Sequence, residues 1–417
     1  MASSEPRTGL RRWRLLADVD RLPPVMRLLV GTQLAFNIGF YMVLPYLATH
    51  LTDDLALGGG LVGLVLGLRT FSQQGLFVVG GACADRFGAR PVILAGCALR
   101  VLGFVLLGIA TGLAGVLAGA LLTGFAAALF SPAVESTLAR EAGERQEAGG
   151  LARTDVFAMF AVSGQVGSVV GPLVGTALLL VDFRLACLVA AAAFVLIGLA
   201  NLRWLPRREA AHAGERMLAG WTEVLANRRF LAFAAGYSGY LLCYNQLYLA
   251  LPAELWRATG SRAALGWLFV LASVLVIVGQ VPATRWARGI GGTRAIVLGF
   301  GLMAASFAVV AVTTVLPIPP SAWPAVVFVA LLTAGQMLAV PMAQDLVPRL
   351  AGERRLGAYF GVLSSAGGIA VLLGSTAVGA LLDPAVAPPV VPWLVLTAVP
   401  LLSAGTIAAL ARRGTLP

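Results

Sequence analysis

The feature of this sequence that most constrains its fold is a series of twelve long apolar runs. Each run has enough residues to cross about 30 Å of hydrocarbon as a helix. Because backbone polar groups in hydrocarbon need partners, and a helix supplies them within one segment, the sequence predicts an all-α membrane protein with twelve transmembrane helices. The runs cover residues 26–49, 59–82, 91–111, 114–138, 155–179, 183–204, 230–254, 263–285, 294–316, 322–346, 356–381 and 391–411.

The composition agrees with this class and excludes several others. Apolar residues make up 59% of the chain and charged residues 12%, and the mean hydropathy is +0.88. Soluble globular domains are about half apolar and a quarter charged, so a soluble enzyme, a disordered protein and a disulfide scaffold are excluded. The chain contains no lysine and therefore has neither a phosphate-binding P-loop nor Schiff-base catalysis.

Histidine and cysteine show no metal-binding or catalytic pattern. His50 and His212 are isolated, so we predict no metal, no cofactor and no catalytic residue, and hence no enzyme. The cysteines lie in apolar runs and are interpreted as small core residues. They are Cys83, Cys97, Cys187 and Cys243.

The arginines are unequally divided between the two sides of the predicted bundle. With the N-terminus inside, 25 arginines lie on that side, three on the other, and two within runs. Because cytoplasmic loops carry such an excess, we predict a multi-pass protein of the cell (inner) membrane with both termini cytoplasmic. Topology and anionic lipid explain the net charge of +11 without a nucleic-acid partner.

Two related halves are indicated by matches at nearly one spacing. Tyr41 matches Tyr248 at an offset of 207, while Pro132 matches Pro341 and the segment AGER recurs at an offset of 209. Together these matches indicate a duplicated six-helix unit. The predicted parts are a cytoplasmic N-terminal segment (1–25), an N-terminal bundle (26–204), a cytoplasmic linker (205–229), a C-terminal bundle (230–411) and a cytoplasmic tail (412–417).

A polar motif follows the second run, and consists of Gly81, Asp85, Arg86, Gly88 and Arg90. We expect Gly81 to permit close helix approach and Gly88 to supply a turn with positive φ, while Asp85 could bind an arginine or a helix N-terminus. The motif resembles the signature between helices two and three of the major facilitator superfamily, where it latches one conformation. The alternative is a turn that only fixes topology.

This resemblance implies the major facilitator fold, with two six-helix pseudo-repeats and both termini cytoplasmic. Substrate would bind between the halves near the midplane, and rocking of the halves would alternate access. The corresponding turn in the second half, PATRWARGIGGTR, lacks the acid. We therefore expect a single latch.

The fifth run contains small residues at steps of three and four, namely Gly164, Gly167, Gly171 and Gly175, with Pro172 among them. Small residues at this spacing let helix backbones touch, and Pro172 removes a helical hydrogen bond. The pattern resembles the antiporter motif of drug exporters in the superfamily and implies export. The alternative is ordinary helix packing.

A longer resemblance extends from LGLRTFSQQGLFVVGGACADRFGARP to LR at 99–100 and DFRL at 182–185. It closely resembles MdtH-like multidrug exporters of the twelve-helix drug:proton antiporter group, and this resemblance implies proton-coupled export. Two positions depart from that group. Ala120 stands where an arginine often precedes Gly124 by four residues, and Gln336 stands where a glutamate often follows a glycine.

Charged residues in or near the runs are candidates for proton coupling, because intramembrane charges are costly and default to functional hypotheses. Our hypothesis is that Glu135 titrates, and that Arg69 or Arg100 holds its charge in one state. Asp155 and Asp345 are further candidates. The alternatives are interfacial carboxylates and a purely structural role for the arginines.

An aromatic and polar set predicts a substrate cavity. Tyr237, Tyr240, Tyr244 and Tyr248 are spaced by three or four residues and so share one face of a helix. An aromatic face with a few polar groups suits amphipathic ligands of varied structure. The alternative is that these tyrosines form an interfacial aromatic belt and pack between helices. The other predicted cavity residues are Asn37, Tyr41, Gln73 and Gln336.

These features predict a secondary transporter that exports amphipathic small molecules by proton antiport. The expected partners are the lipid bilayer, a small-molecule substrate and protons, and the expected state is a monomer. A dedicated exporter of one endogenous metabolite or antibiotic is the alternative, and a nutrient importer is a weaker one. A membrane enzyme or a sensor is disfavoured by the absence of a catalytic constellation or a sizeable soluble domain.

Overall fold

The computed structural model describes residues 22–148, 153–207, 221–316, 319–352, 356–414 and 416. Within these ranges all regular secondary structure is helical. The side chains of Val78, Asp85, Arg153, Thr154, Asp155, Trp221 and Thr222 lie outside the described part of the structure.

The described part of the chain forms fifteen helices. In chain order they are α1 (Pro24–Asp53), α2 (Gly59–Gln74), α3 (Phe77–Phe87), α4 (Ala89–Ile109), α5 (Leu113–Glu147), α6 (Arg153–Leu179), α7 (Phe183–Trp204), α8 (Trp221–Ala226), α9 (Arg228–Tyr237), α10 (Gly239–Thr259), α11 (Leu265–Ile290), α12 (Gly292–Val315), α13 (Trp323–Ala351), α14 (Leu356–Leu381) and α15 (Val391–Arg412).

Ten of these helices are long and apolar enough to cross a membrane. Each corresponds to one predicted run, and the bounds of α7 and α14 coincide with the predicted 183–204 and 356–381. The other two runs are each divided between two helices. The α2–α3 break falls at Gly75 and Leu76, where glycine weakens helix propensity, and the α9–α10 break falls at Ser238. The ten are α1, α4, α5, α6, α7, α11, α12, α13, α14 and α15.

The helices from α1 to α7 pack mainly among themselves, as do those from α9 to α15. Two seams join these groups: α2 packs against α14, and α6 packs against α11. Helix α1 also meets α10 between the seams. We call the end of the molecule at Asp53, where α1 finishes, the distal end, and the end at Pro24 the proximal end.

The α2–α14 seam is a contact between backbones. A Cβ atom on Gly59 would overlap the carbonyl of Gly379, and one on Gly63 would overlap the carbonyl of Ser375. Glycine at these positions therefore allows the two helices to approach to a distance that no larger residue permits. This contact lies in the distal half of both helices.

The distal end is closed further by side chains from both groups. Arg262, in the connection from α10 to α11, forms an ion pair with Asp53 at the end of α1. Its guanidinium also lies 5.0 Å from the ring centre of Trp256. Towards the proximal end α3 packs against α14, while the described parts of α5 and α6 do not pack substantially against α13 or α14.

Candidate functional site

The junction between the two groups contains a buried arginine from α2. Arg69 is only 5% exposed, although it lies within a run of apolar residues. Its Nη2 donates a hydrogen bond to Oε1 of Gln73 one turn later, and its guanidinium carbon lies 4.7 Å from the ring centre of Phe40. The Nε of Arg69 has no hydrogen-bond partner. Part of the donor capacity of this cation is therefore unused.

A second arginine, Arg100 on α4, lies deeper and is fully buried. Its Nη1 donates to the carbonyl of Thr123, while its Nε and Nη2 have no hydrogen-bond partner. Four aromatic rings surround the guanidinium at 4.5–5.5 Å, an arrangement that stabilises a cation through the ring quadrupoles. These rings belong to Phe36, Phe40, Phe104 and Phe194.

Neither arginine has a carboxylate partner among the described residues. Glu135 is exposed and forms no ion pair with Arg69 or Arg100 in the described part of the chain. The hypothesised pair between Glu135 and an arginine is thus not formed in this conformation, and the proton-carrying role of Glu135 stays a prediction. The arginines are instead satisfied in part by an amide, a carbonyl and aromatic faces.

The other two candidate acids are not in the junction. Asp345 lies near the proximal end of α13, is 62% exposed, and pairs with Arg349 at 2.6 Å. The side chain of Asp155 lies outside the described residues. Asp345 is therefore exposed and lies outside the junction, and its role in proton coupling stays a prediction.

The tyrosine stripe of α10 reaches the junction. Tyr240 and Tyr244 are half-buried, with ring centres 6.3 Å apart, and Tyr248 follows at 6.1 Å from Tyr244. The phenol of Tyr41 on α1 lies within interaction range of Tyr244, Tyr248 and the Arg69 guanidinium. The stripe thus brings phenols from both groups of helices beside a buried cation.

Tyr237 occupies a different environment from the rest of the stripe. It is 7% exposed and packs against Phe233 and Phe300, with ring centres 5.7 and 6.1 Å away. This position supports packing within the second group of helices. Tyr237 contacts the predicted cavity through the ring of Tyr240, with ring centres 5.4 Å apart.

The remaining predicted cavity residues are half-buried polar side chains. Asn37 on α1 donates to the carbonyl of Gln33 at 2.9 Å. Gln73 accepts from Arg69 and so orients it. Gln336 lies on α13 and is half-buried.

A hydrogen-bonded chain beside Arg69 crosses the junction. Thr70 donates to Oδ1 of Asn245 at 3.1 Å, and Nδ2 of Asn245 donates to Ser375 at 2.9 Å. It joins α2, α10 and α14. Thr70 and Ser375 were not predicted, since a single hydroxyl in an apolar run gives no signal of a distant partner.

The turn between α3 and α4 has the expected backbone but a different close contact. Gly88 has φ of 84°, a conformation that favours glycine. The expectation for Gly81 was wrong, because a Cβ atom there would meet nothing within 4 Å. Gly80 makes the approach instead, and a Cβ on it would overlap the carbonyl of Ala128 on α5.

The arginines of this turn differ in their contacts. Arg90 donates to the carbonyl of Leu202 at the end of α7, which a cation can stabilise. Arg86 is exposed, with its guanidinium carbon 5.6 Å from the ring centre of Phe87. The side chain of Asp85 lies outside the described residues, so the latch stays a prediction.

The glycines of α6 lie against α1. A Cβ atom on Gly167 would lie 2.6 Å from Cβ of Asn37, one on Gly171 would lie 2.7 Å from Cβ of Tyr41, and one on Gly175 would lie 2.5 Å from the carbonyl oxygen of Met42. Gly164 is less crowded, with Nε2 of Gln33 at 3.1 Å. The stripe therefore fixes α1, and with it Asn37 and Tyr41, by close backbone packing.

Pro172 lies within that stripe and its carbonyl is used by α1. The hydroxyl of Tyr46 donates to this carbonyl at 2.7 Å and lies 2.7 Å from the hydroxyl of Thr176. Gly266 of α11 packs onto the same two hydroxyls. Three helices therefore meet at this point in the distal half of the molecule.

A buried carboxylate near the distal end was not predicted. Glu254 on α10 is 1% exposed, and both of its oxygens accept from Arg257, each at 2.7 Å. Such bidentate pairing satisfies a buried carboxylate. The spacing of three residues on a helix is the sequence signal that could have revealed the pair.

Comparison with known proteins places this chain in a family. The family model described as Major Facilitator Superfamily matches residues 29–375 and 242–416. An uncharacterized MFS-type transporter of Mycobacterium tuberculosis is 42% identical over 370 residues, covering 86% of each chain. The multidrug resistance protein MdtH of Aeromonas salmonicida is 31% identical over 362 residues, covering 86% of this chain and 88% of its own.

Solved structures share the fold at low sequence identity. A POT family transporter crystallised with a thioalcohol-conjugated peptide superimposes with a TM-score of 0.78 at 12% identity, covering 95% of this chain and 99% of its own. A mutant of the nucleoside transporter NupG gives 0.77 at 15% identity, with 92% and 99% covered. The family and these relatives are transporters and not enzymes. The chain is a multi-pass membrane transporter and belongs to the major facilitator superfamily.

Proposed function

We propose that this protein exports amphipathic small molecules from the cell in exchange for protons, by alternating access between two six-helix bundles. Among its relatives are proteins named multidrug resistance protein MdtH, at 29–31% identity. The similar peptide and nucleoside transporters share only 12–16% identity, which is evidence for the fold alone.

The observation that carries the proposal is the polar and aromatic junction around Arg69. Half-buried tyrosines, an amide and a buried cation meet where the two groups of helices touch. Apolar surface with a few placed polar groups is the usual form of a small-molecule site. Transporters of this architecture bind substrate between their repeats near the midplane.

The proposed topology has twelve crossings. Helices α2 and α3 would make one crossing together, as would α9 and α10, and the two bundles would span 26–204 and 230–411 with the linker 205–229 between them. From the arginine excess we infer that the proximal end and both termini are cytoplasmic. The distal contacts then close the outer side of the cell (inner) membrane in this conformation.

Proton coupling is assigned to Glu135, with Asp155 and Asp345 as secondary candidates. Glu135 is exposed in the proximal half of α5, a helix that does not pack substantially against the described helices of the second group. Closure of the proximal end would bury Glu135 between the two groups of helices, with Arg69 and Arg100 in its own group as the nearby cations. Burial favours the protonated carboxyl group and a nearby cation favours the charged one, so the two conformations would differ in proton affinity.

The test uses probes that share one naphthalene ring and differ in charge: naphthalenesulfonate (anion), naphthalenesulfonamide (neutral) and naphthyltrimethylammonium (cation). The full chain is reconstituted in proteoliposomes that contain a pH-sensitive dye. A charged probe should move against its own gradient when a proton gradient is imposed, with protons moving the opposite way. Movement that ignores the proton gradient would overturn antiport.

The matched variants are Glu135→Gln and Glu147→Gln, both on α5. Glu147 is exposed at the proximal end of the helix. The first change should abolish proton-linked movement, while the second should leave it unchanged. If no charged probe moves in the unmodified protein, export of amphipathic molecules in general is contradicted and a dedicated exporter is favoured.

A further inference from the structure

The charge of the junction is unbalanced. Arg69 and Arg100 lie within interaction range of each other, and the ring of Phe40 lies against both guanidinium groups, at 4.7 and 5.5 Å. Arginine remains protonated in proteins. Among the described residues, no carboxylate lies within ion-pair distance of either group.

Two acids on the first group of helices have side chains outside the described part, and both are remote along the chain. Asp85 follows Arg69 by sixteen residues, which corresponds to roughly 24 Å along a helix. Asp155 lies in the first turn of α6, at the proximal end of that helix. The chain therefore supplies two positive charges at the junction without a nearby described counter-charge.

The junction contains a cationic hydrogen-bond donor without a partner. The Nε of Arg69 is buried and has no hydrogen-bond partner, and the phenols of Tyr41, Tyr244 and Tyr248 are close enough to interact electrostatically with the same guanidinium. A guanidinium presents its donors in a planar fork that matches the oxygens of a carboxylate, sulfonate or phosphate. Gln73 accepts from one side of the fork and fixes its orientation.

The surroundings of these donors are aromatic. Phe40, Tyr240 and Tyr244 are half-buried, so their rings can accept the apolar body of a ligand. A cationic ligand on the same rings would face two positive charges without a nearby counter-charge. From this arrangement we propose that the substrate is an amphipathic organic anion whose acidic group binds Arg69 while its apolar body lies on the aromatic rings.

Arg100 has a positioning role in this proposal. It is fully buried behind Phe40 and does not reach the ligand. Its charge adds to the positive field at the site, and the surrounding phenylalanines hold it without neutralising it. The inference rests on the proposed transport function and specifies its substrate class.

The experiment measures binding of the three naphthalene probes to the purified full chain by equilibrium dialysis. Naphthalenesulfonate should bind at least roughly tenfold more tightly than naphthalenesulfonamide, a difference of about 1.4 kcal/mol. Naphthyltrimethylammonium should bind no better than the neutral probe. Equal or tighter binding of the cation, or no detectable binding of the anion, would overturn the proposal.

Variants connect the preference to one side chain. Arg69→Gln should remove the preference for the anion while leaving binding of the neutral probe, and Arg69→Lys should keep part of it. Arg203→Gln is the control, because Arg203 is exposed at the end of α7. Unchanged anion preference in Arg69→Gln would overturn the proposal.

A second variant keeps the test decisive if Arg69→Gln does not fold. Gln73→Glu retains Arg69 and places a carboxylate beside it, so the anion should lose its advantage. Charge-selective binding without proton-linked movement would contradict only the antiport function. Proton-linked movement without charge selection would contradict only the anionic substrate.

Discussion

The two seams between the halves occupy corresponding places in the predicted repeat but have different chemistry. In the α2–α14 seam, a Cβ atom on Gly63 would meet the backbone carbonyl of Ser375, so backbone packs against backbone at that point. In the α6–α11 seam, Gly266 meets the hydroxyls of Tyr46 and Thr176. Steric overlap at a backbone contact is relieved only by moving a helix, whereas overlap at a side-chain contact can be relieved by rotating the side chain.

Because of this difference, we expect the two seams to tolerate helix movement to different extents. The glycine seam would define the closed distal state, because it fits in only one arrangement of the two helices. The hydroxyl seam would tolerate small shifts, since Tyr46 also donates to the carbonyl of Pro172 and Ser273 of α11 donates to the carbonyl of Ser168 at 3.3 Å. Substitutions should therefore be costlier in the first seam than in the second.

The largest effect is expected from Gly63→Val. The added side chain would overlap the Ser375 backbone and hold the distal ends of α2 and α14 apart. We expect proton-linked probe movement in proteoliposomes to fall by more than about tenfold, equivalent to a barrier of about 1.4 kcal/mol. Gly58→Ala is the control, since a Cβ atom there meets nothing within 4 Å; equal loss in both variants would contradict the seam's role.

The next effect concerns a glycine contact inside one half. Gly80→Ala would push α3 away from Ala128 of α5, and overpacking of this kind costs about 1–3 kcal/mol. Gly81→Ala should be tolerated, because its Cβ atom meets no neighbour. Thermal unfolding in detergent distinguishes the two, and a lower Tm for Gly81→Ala than for Gly80→Ala would refute the assignment of the close contact.

A smaller effect is expected from Gly266→Ala in the hydroxyl seam. Rotation of the Thr176 and Tyr46 side chains can relieve part of the overlap, so we expect transport to fall by only about two- to fivefold, less than about 1 kcal/mol. Adding Thr176→Ala removes the nearest hydroxyl and should restore part of the rate. If the double variant does not recover transport, the α6–α11 seam tolerates added volume no better than the α2–α14 seam, and the account is contradicted.

The smallest effect is expected from the ion pair across the distal end. Arg262 has a largely buried side chain but Asp53 is 46% exposed, and such pairs contribute about 0–1 kcal/mol. Asp53→Asn should change the transport rate by less than about fivefold, with the difference shrinking in high salt. The exchange Asp53→Arg with Arg262→Asp should restore the rate, and a loss as large as that of Gly63→Val would contradict this ranking.

Much of the helix layout follows from local sequence. Apolar length alone locates the ten long apolar helices, and α7 and α14 begin and end where their runs do. The positive φ of Gly88 also follows from its place in a short polar turn. The breaks at Gly75 and Ser238 were not predicted, because neither residue interrupts the apolar pattern.

The site was less predictable because its contacts join distant parts of the chain. Thr70 and Asn245 are 175 positions apart, and Asn245 and Ser375 are 130 apart. The phenylalanines around Arg100 look like ordinary core residues in the sequence. The close contact with α5 is made by Gly80 and not by the predicted Gly81. Neighbouring residues point about 100° apart around a helix, and the sequence does not show which of the two glycines faces α5.

The most direct test records naphthalenesulfonate and proton movement together in proteoliposomes containing the unmodified chain. We predict that an imposed proton gradient drives this permanently charged anion against its own gradient, with protons moving in the opposite direction. The naphthyltrimethylammonium cation should not be driven under the same conditions. Movement of the cation alone, or anion movement independent of the proton gradient, would contradict proton-coupled export of an anion through the Arg69 junction.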